Sequence, residues 1–579
     1  MIFIRPFYHI RCFQFRWIKE IGFKRLNTFD LTPDEFQKCN KDTVIFCKNN
    51  KIEKYYRSGI KIDDSEIDLT PHYAKEAAKE ITDLFISDAI LSKTIQKGIF
   101  ILPDVIINKP FSEFIIKRFQ EKTGLAYKKY VVLTSIHKNI FFIFSYLIQM
   151  GYIIKYFLQS FNKKNIDCTD KIIYDDLAPS HMNLDPNKKL SATFIIDDQK
   201  IKKENIIYFS NDKKKSDLWR NENFNIYKEF SELCSTKDLL LGWFTFIKKT
   251  PFLYKNIFSS KNIFMLSRLV ISYELSKRKK IRGYIYTNTS IIKEPIEALV
   301  FFSQKIPVII ISYSASSFFG PHWCYLSCTR LFVWHKIMKD FVKDHPQVRE
   351  IDIKISGPLM MGEDLLSKEI INNSKKEIHS KLKNMNSLLI GIFDVAPHKL
   401  RLLENARLSV RYTSGYHKKF MFDIFYLLSE IENVSLVIKP KRWTKHSPDY
   451  NIEDSVMEYI QNNEKIVTLD SGINPYLSVQ SCDIIICMAY TSIYYAAQQK
   501  GIPAIFYSPI KDEALENEKG LDSLLSIGKK DLLNRIKGIV NNKNEGLISG
   551  NYYEDLVGIN KHDSIRHNFI NQLNQTFEA

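Results

Sequence analysis

The chain has 579 residues, 45% of them hydrophobic, so it can form two or three domains with substantial cores and is not intrinsically disordered. Its net charge of +18 favours anionic partners, but no arginine-rich tract, zinc-finger spacing or aromatic RNA-binding motif is present, and we predict no nucleic-acid partner. Nine scattered cysteines without a C-x-x-C pair fit reduced thiols, and the first residues lack the apolar core of a secretory signal. These features together predict a cytoplasmic protein.

Residues 1–90 mix short aromatic segments with a charged helical pattern, and they predict an N-terminal extension of unclear role. Residues 91–374 are expected to form an α/β domain with a helical insertion. Its first strands are predicted from four apolar runs, at Gly98–Ile107, Lys129–Ser135, Ser191–Asp198 and Asn205–Ser210. Residues 213–270 are mostly helical in pattern and rich in aromatic side chains.

The longest apolar segment, Asn139–Ile154, is too short to span a membrane, and lysines flank it on both sides. Two interpretations remain open for the segment. It is either a buried core helix or an amphipathic helix that lies on an anionic membrane surface. The second interpretation would place the protein at the periphery of the inner membrane.

Further along, Tyr284–Ser316 predicts a strand, a helix and a second strand, and Arg330–Trp334 and Glu350–Pro358 predict two more strands. The polar, lysine- and asparagine-rich residues 375–386 are expected to be a linker. Residues 387–545 then predict a second α/β domain, and residues 546–579 a C-terminal tail. The strands of this second domain are expected at Leu388–Phe393, Ser435–Ile438, Ile466–Leu469, Asp483–Met488 and Ala504–Tyr507.

Ser481–Pro509 is the most informative segment. It reads as a buried strand, a loop rich in hydroxyl groups, a short helix and another strand, which is a βαβ unit. Tyr284–Ser316 repeats this order about 200 residues upstream, where KIPVII parallels GIPAIF, so the two halves of the chain are expected to be similar. The loop of such a unit lies at the carboxyl edge of the sheet, where open α/β folds bind ligands.

The order of motifs from Tyr284 to Asn542 resembles that of GT-B glycosyltransferases of bacterial surface-polysaccharide biosynthesis. The resemblance depends on GIFDVAP (Gly391–Pro397), VIKPKR (Val437–Arg442), TLDSGINPY (Thr468–Tyr476) and CDIIICMAYTSIYYAAQQKGIPAIFY, which starts at Cys482. It implies two Rossmann-like, doubly wound domains that face a cleft, with helical N-terminal additions. The glycine-rich loop and Glu-x7-Glu signature of many retaining members are absent.

The resemblance also implies which residues bind the donor. Thr491 and Ser492 would hold the phosphates, with Tyr490 beside them, and Lys439, Lys441 and Arg442 would offset the phosphate charge. Residues 470–476, including Asn474, would contact the base or ribose. Asp394 follows the first strand of the second domain and is expected to point into the cleft. Each of these residues has an alternative role as a cap, a turn residue or a solvated strand end.

If the reaction inverts the sugar's configuration, a base must take the proton of the acceptor hydroxyl, and the resemblance implies that this base comes from the N-terminal domain. The candidates are Asp197 and Asp198, which follow an apolar run, and His322. No cluster of His, Cys and carboxylates shows metal-ligand spacing, so we predict no metal and no cofactor, with the nucleotide-sugar donor as substrate.

The sequence therefore predicts an enzyme that moves a sugar from a nucleotide-sugar to a growing surface glycan or a lipid-linked acceptor, with an anionic membrane surface as a further partner. Two alternatives remain open. One is a CDP-polyol phosphotransferase or a sugar-nucleotide epimerase with the same fold. The other is a non-catalytic scaffold in polysaccharide assembly.

Overall fold

The computed structural model describes most of the chain, with gaps that are widest before residue 166. The described residues are 2–4, 23–25, 31–94, 99–102, 127–129, 146–148, 150–151, 154–155, 157–158, 166–175, 195–196, 201–210, 213–228, 230–256, 261–278, 280–288, 295–312, 323–357, 367–382, 387–395, 397–398, 410–441, 452–489, 491–510, 525–541 and 565–578.

The N-terminal region contains its own small parallel sheet, in the order β2-β1-β5-β6. Strands β5 and β6 were expected to belong to the α/β domain of residues 91–374. However, β5 pairs with β1 and β6 pairs with β5, so that expectation is wrong. The elements of this region are β1 (Ile2–Ile4), β2 (Phe23–Arg25), α1 (Pro33–Asn50), the hairpin β3 (Gly59–Ile62) and β4 (Ser65–Asp68), α2 (Thr70–Thr94), β5 (Ile99–Leu102) and β6 (Tyr127–Lys129).

A seven-stranded parallel sheet follows, in the order β13-β12-β11-β10-β7-β8-β9. Its strands are β7 (Ile172–Asp175), β8 (Ile206–Phe209), β9 (Asn225–Tyr227), β10 (Gly283–Asn288), β11 (Val308–Ser312), β12 (Arg330–Val333) and β13 (Asp352–Ile355). Its helices are α3 (Lys213–Asn221), α4 (Thr236–Asn256), α5 (Lys261–Arg278), α6 (Ile296–Ser303) and α7 (Lys336–Asp344).

Two strands of this sheet differ from the prediction. β7, the first strand, was not predicted, and β9 lies in a region expected to be helical. Ile195 and Ile196, the described part of the predicted Ser191–Asp198 strand, are not in a strand. Ile195 instead contributes a buried side chain to the core on one face of the sheet.

The C-terminal sheet has six parallel strands in the order β16-β15-β14-β17-β18-β19. They are β14 (Leu388–Phe393), β15 (Val434–Lys439), β16 (Ile466–Thr468), β17 (Ile484–Met488), β18 (Ala504–Ser508) and β19 (Leu525–Ile527). Five of them match the predicted strands within about one residue. The runs of β15, β17 and β18 are buried throughout, as expected for strands covered by helices on both faces.

Both large sheets therefore place their first strand inside the sheet, with strands two and three on one side and the fourth and later strands on the other. This is the doubly wound order of a Rossmann-like domain. The predicted α/β architecture with two such domains is confirmed. The helices of the second half are α8 (Lys368–Ser380), α9 (Ser414–Phe425), α10 (Leu427–Glu430), α11 (Asp454–Gln461), α12 (Pro475–Gln480), α13 (Ile493–Gln499) and α14 (Gly528–Asn541).

The residues predicted to link the two domains are partly helical. Residues 375–380 form the second half of helix α8, and its Ile378 is buried in an apolar cluster that continues through both domains. Lys375 pairs with Asp483 at 3.2 Å, which fixes this helix beside the start of β17.

The C-terminal residues return to the N-terminal domain. Helix α15 (Ile565–Glu578) buries Phe569 and Leu573 against the seven-stranded sheet. Phe577 lies over Gly283, where any side chain would collide with its ring. Arg330 of β12 donates hydrogen bonds to the carbonyl of Gln572 and the hydroxyl of Thr576. The predicted tail is thus, over these residues, part of the N-terminal domain.

None of the helices in the described part of the chain combines the length and the apolar character that crossing a bilayer requires.

Candidate functional site

The topology of the C-terminal sheet defines a ligand-binding position. The chain leaves β14 toward β15 on one side and later enters β17 on the other side. Connections that diverge in this way leave a crevice at the carboxyl ends of the two central strands. The residues that follow β14, β15 and β17 are therefore the ones to examine, and they include most of the predicted donor contacts.

Asp394, directly after β14, is buried and does not present its carboxylate to solvent. Its Oδ2 lies 2.8 Å from Nε2 of His417 in the first turn of α9, and its Oδ1 accepts a hydrogen bond of 3.1 Å from the backbone N–H of Lys441. Asp394 thus joins the ends of β14 and β15 to α9. The expectation that it points into the cleft is wrong, because both oxygens have protein partners.

Lys439, the last residue of β15, also bonds within the protein. Its Nζ donates to the carbonyl of Ser471 at 2.9 Å and to that of Pro440 at 3.2 Å, and the residue is buried. It therefore links β15 to the loop after β16. Lys441 lies at the same edge of the sheet. The predicted basic cluster has two described residues, of which Lys439 is buried and Lys441 is exposed.

Asn474 caps helix α12, because its Oδ1 accepts a 2.8 Å hydrogen bond from the N–H of Tyr476. The side chain is buried, and its Nδ2 has no hydrogen-bond partner among the described residues. A buried amide donor without a partner is costly in a folded protein unless a ligand or a water accepts from it. Asn474 therefore stays a candidate for contact with the donor.

Thr491 and Ser492 lie in the tight turn after β17, where the N–H of Thr491 donates to the carbonyl of Met488. Both side chains are half-buried. The Thr491 hydroxyl lies against the thiol of Cys487, whose pKa is raised by burial and lowered to a smaller extent by this contact. Ser492 occupies the N-cap of α13, but its hydroxyl makes no capping bond. The sheet thus places Thr491 and Ser492 at the same edge as Asp394 and Lys441, and the hydroxyl oxygen of Thr491 is buried.

Five predicted residues lie outside the described part of the chain, and their roles stay predictions. They are Asp197, Asp198, His322, Arg442 and Tyr490.

The two domains touch at their carboxyl edges. His335 follows β12 in the N-terminal sheet, and its ring stacks on that of Tyr495 in α13, with centroids 4.5 Å apart and an interplanar angle of 18°. Because β12 and β17 both end at this contact, the carboxyl edges of the two sheets face each other. The Nδ1 atom of His335 accepts from the N–H of Met338, so the neutral ring carries its proton on Nε2.

Burial lowers the pKa of His335 to about 3, well below the 6.5 of a free histidine. Below a pH of about 6.5, His335 is therefore protonated in the unfolded chain but stays neutral in the folded chain. Protonation stabilises the unfolded state, so the free energy of unfolding decreases as the pH falls below this value. We expect the free energy of opening of α7 to fall by about 2 kcal/mol between pH 7.5 and pH 5 because of this residue.

Hydrogen exchange of peptides from α7, corrected for the intrinsic rate, measures this change. His335→Asn is the matched variant, because asparagine can also cap the helix but does not titrate. A variant that shows the same pH dependence as the natural chain would contradict the assignment.

A second polar cluster lies at the carboxyl edge of the N-terminal sheet, and the sequence analysis missed it. Asp175 ends β7, the first strand, and accepts a short hydrogen bond from the hydroxyl of Tyr284. Nearby, the buried Glu297 of α6 pairs with Arg268 of α5 through a 2.6 Å contact. Burial raises the pKa of Glu297, which Arg268 partly offsets, and burial followed by the charge of Asp175 raises the pKa of Tyr284.

These four residues come from four separate elements, so no local motif reveals them. The one available signal is the strand-end position of Asp175 after the apolar run Ile172–Tyr174. Asp175 ends the first strand of its sheet, where the strand order reverses, and Asp394 follows the corresponding strand of the C-terminal sheet.

Residues 249–532, just under half of the chain, match the family described as polysaccharide biosynthesis PFTS motif protein. The match to the PFTS motif family starts inside α4 and ends inside α14, so it includes the crevice of the C-terminal sheet. This confirms the polysaccharide-biosynthesis assignment made from the sequence.

A comparison with curated proteins finds no match to the chain. Three solved structures of similar shape are a UDP-GlcNAc 2-epimerase from Neisseria meningitidis bound to UDP-GlcNAc (11% identity, TM-score 0.41), MurG from Acinetobacter baumannii (13%, 0.38) and HepE from Anabaena in complex with UDP-glucose (11%, 0.40). Each similarity covers 70% of this chain and 99% of the other. The fold assignment here depends on the strand order of the two sheets.

Proposed function

We propose that this chain is a glycosyltransferase that moves a sugar from a nucleotide-sugar donor to a growing cell-surface polysaccharide or a lipid-linked acceptor. The observation that supports this proposal best is the facing of two doubly wound edges at the His335–Tyr495 stack. Each edge supplies one crevice, and group transfer between two substrates requires two adjacent binding positions. The match of residues 249–532 to the family described as polysaccharide biosynthesis PFTS motif protein supports a polysaccharide as the product.

The donor is assigned to the crevice of the C-terminal sheet. Hydroxyl groups of Thr491 and Ser492 would donate to the diphosphate, and exposed Lys441 would offset its charge.

The acceptor is assigned to the edge of the N-terminal sheet. An acceptor hydroxyl becomes nucleophilic when a base takes its proton. Asp175 adds a described candidate to Asp197, Asp198 and His322, because it is half-buried, ends the first strand of the sheet and accepts a hydrogen bond from the hydroxyl of Tyr284. Glu297 is a weaker candidate, since it is fully buried and paired with Arg268.

A thermal-shift screen with UDP, GDP, CDP, CMP and their sugar conjugates tests the donor site. Ligand at about 100 times its dissociation constant should stabilise the folded chain by about 2.7 kcal/mol. The double variant Thr491→Ala/Ser492→Ala should weaken binding by roughly tenfold or more, because it removes two hydrogen bonds to a charged group. The control variant Ser380→Ala/Ser429→Ala removes two exposed hydroxyls that bond only to their own helices, and it should bind as the natural chain does.

The same samples separate binding from chemistry. Asp175→Asn should retain the nucleotide-dependent shift but lose transfer by about 10²-fold or more. A folded sample that shifts with none of these nucleotides would overturn the proposal and favour a non-catalytic scaffold. A shift without any effect of the Thr491/Ser492 variant would move the donor site elsewhere.

A further inference from the structure

Exposed large apolar side chains are concentrated on two neighbouring helical segments. Of the twelve such residues in the described part of the chain, seven lie either on α4 or in the helical residues between 146 and 158. They are Leu147, Ile148, Ile154, Leu158, Leu241, Phe244 and Ile247, and four of them expose about half of their surface or more. Soluble proteins seldom cluster exposed apolar residues in this way without a partner for the surface.

The two segments pack side by side. Tyr146 stacks on Phe246 of α4, with ring centroids 5.8 Å apart and an interplanar angle of 11°. Met150 and Trp243 pack against the same core as Phe246. These inward contacts leave the opposite sides of both helices facing solvent. We call the seven exposed residues the apolar face.

Helical geometry shows that each half of the apolar face is continuous. Leu147, Ile154 and Leu158 are seven and four residues apart, which places them in one stripe along the helix. Leu241, Phe244 and Ile247 are three residues apart and cover a broader strip of α4. Exposed lysines stand within or beside these strips, Lys155 on the first and Lys248 on the second.

The charge of these segments is one-sided. The sequence has no Asp or Glu between Glu121 and Asp167, and none between Asp238 and Glu274. With 65 acidic residues in 579, stretches of these lengths would ordinarily hold several. The basic residues in the two stretches are Lys122, Lys128, Lys129, Lys138, Lys155, Lys163, Lys164, Lys248, Lys249, Lys255, Lys261 and Arg268.

We infer that the apolar face docks on the surface of an anionic phospholipid bilayer. Apolar side chains flanked by lysines are the combination that binds such surfaces, because the apolar groups enter the interface and the lysines meet the headgroups. Neither stretch contributes an acidic residue that an anionic surface would repel, and Asp63, whose charge interacts with that of Lys248, is paired with Lys277. Described residues Leu147, Ile148, Ile154 and Leu158 are exposed, so they do not belong to a buried core helix.

Co-sedimentation of the full chain with lipid vesicles tests this inference, which does not depend on the proposed function. Vesicles of phosphatidylcholine with about one-third phosphatidylglycerol should bind the protein at least tenfold more strongly than vesicles of phosphatidylcholine alone. High salt should weaken the binding. Phe244→Ser/Leu158→Ser and Lys155→Glu/Lys248→Glu should each reduce it at least tenfold.

Matched controls change similar residues elsewhere on the surface. Ile45→Ser removes an exposed apolar side chain from α1, and Lys465→Glu/Lys530→Glu reverses two exposed charges in the C-terminal domain. Both controls should bind vesicles as the natural chain does, and every variant should keep its melting temperature within a few degrees.

Equal binding to the two kinds of vesicle, or binding that the apolar-face variants leave unchanged, would overturn the inference. A dimer without vesicles that the Phe244→Ser/Leu158→Ser variant dissociates would also overturn it, since the apolar face would then cover a second copy of the chain. Nucleotide-dependent thermal shifts should be the same in all of these variants, so failure here is distinguishable from failure of the donor site.

Discussion

Asp394→Ala is expected to destabilise the C-terminal domain by about 3 kcal/mol. The buried carboxylate accepts a hydrogen bond from the N–H of Lys441 and contacts the ring of His417, so its removal takes one hydrogen bond from each of these two groups. Each loss costs about 1–3 kcal/mol. The loss should appear in hydrogen exchange as faster opening of peptides from β14, β15 and the first turn of α9.

Asp394→Asn is the matched variant for this prediction. Its amide oxygen can still accept from Lys441, and its NH₂ can donate to Nε2 of His417 when the ring carries its proton on Nδ1. The expected loss is therefore smaller, about 1 kcal/mol. A double-mutant cycle with His417→Ala should give a coupling energy of about 0.5–3 kcal/mol. Additive effects of the two single variants would contradict the linkage described here.

Phe569→Ala is expected to destabilise the N-terminal domain by about 3–5 kcal/mol, although the residue lies far along the chain from that domain. Its ring is fully buried and meets Phe332 of β12 edge-on, with centroids 4.7 Å apart. Truncation of a buried phenylalanine removes its transfer free energy and leaves a cavity. Hydrogen exchange should show the loss in peptides from β10 to β12.

Two variants bracket the result for Phe569. Phe569→Leu keeps most of the volume and should cost less than about 1.5 kcal/mol. Gln575→Ala changes an exposed residue of the same helix and should cost less than about 0.5 kcal/mol. If Phe569→Ala leaves the exchange of β10 to β12 unchanged, α15 does not stabilise the sheet.

The longer strands of the C-terminal sheet share one property. β14, β15, β17 and β18 are largely apolar runs of five or six residues, and this pattern is visible in the sequence without any tertiary information. Strands of three or four residues gave a mixed outcome, since β8, β12, β13 and β16 were predicted and β7, β9 and β19 were missed. The pairing of β5 with β1 could not be predicted either, because pairing between strands about 100 residues apart leaves no local pattern in the sequence.

The sequence predicts which strand ends surround the candidate site but not where their side chains point. Strand-end residues of a parallel sheet meet at one edge, so Asp394, Lys439 and Thr491 could be placed there from the sequence. Where their side chains point depends on partners from elsewhere in the chain, such as His417 and the carbonyl of Ser471. The cluster around Asp175 was missed for the same reason, since its members come from four elements.

The return of α15 to the seven-stranded sheet has a consequence for biosynthesis. The ribosome releases β7 to β13 early, but Phe332 and Gly283 keep their apolar surroundings open to solvent until residues 565–578 have emerged. The seven-stranded sheet is thus translated first, but helix α15 can cover it only after the whole C-terminal domain has been translated. The nascent chain would therefore expose apolar surface of this sheet, to which chaperones can bind, until elongation is complete.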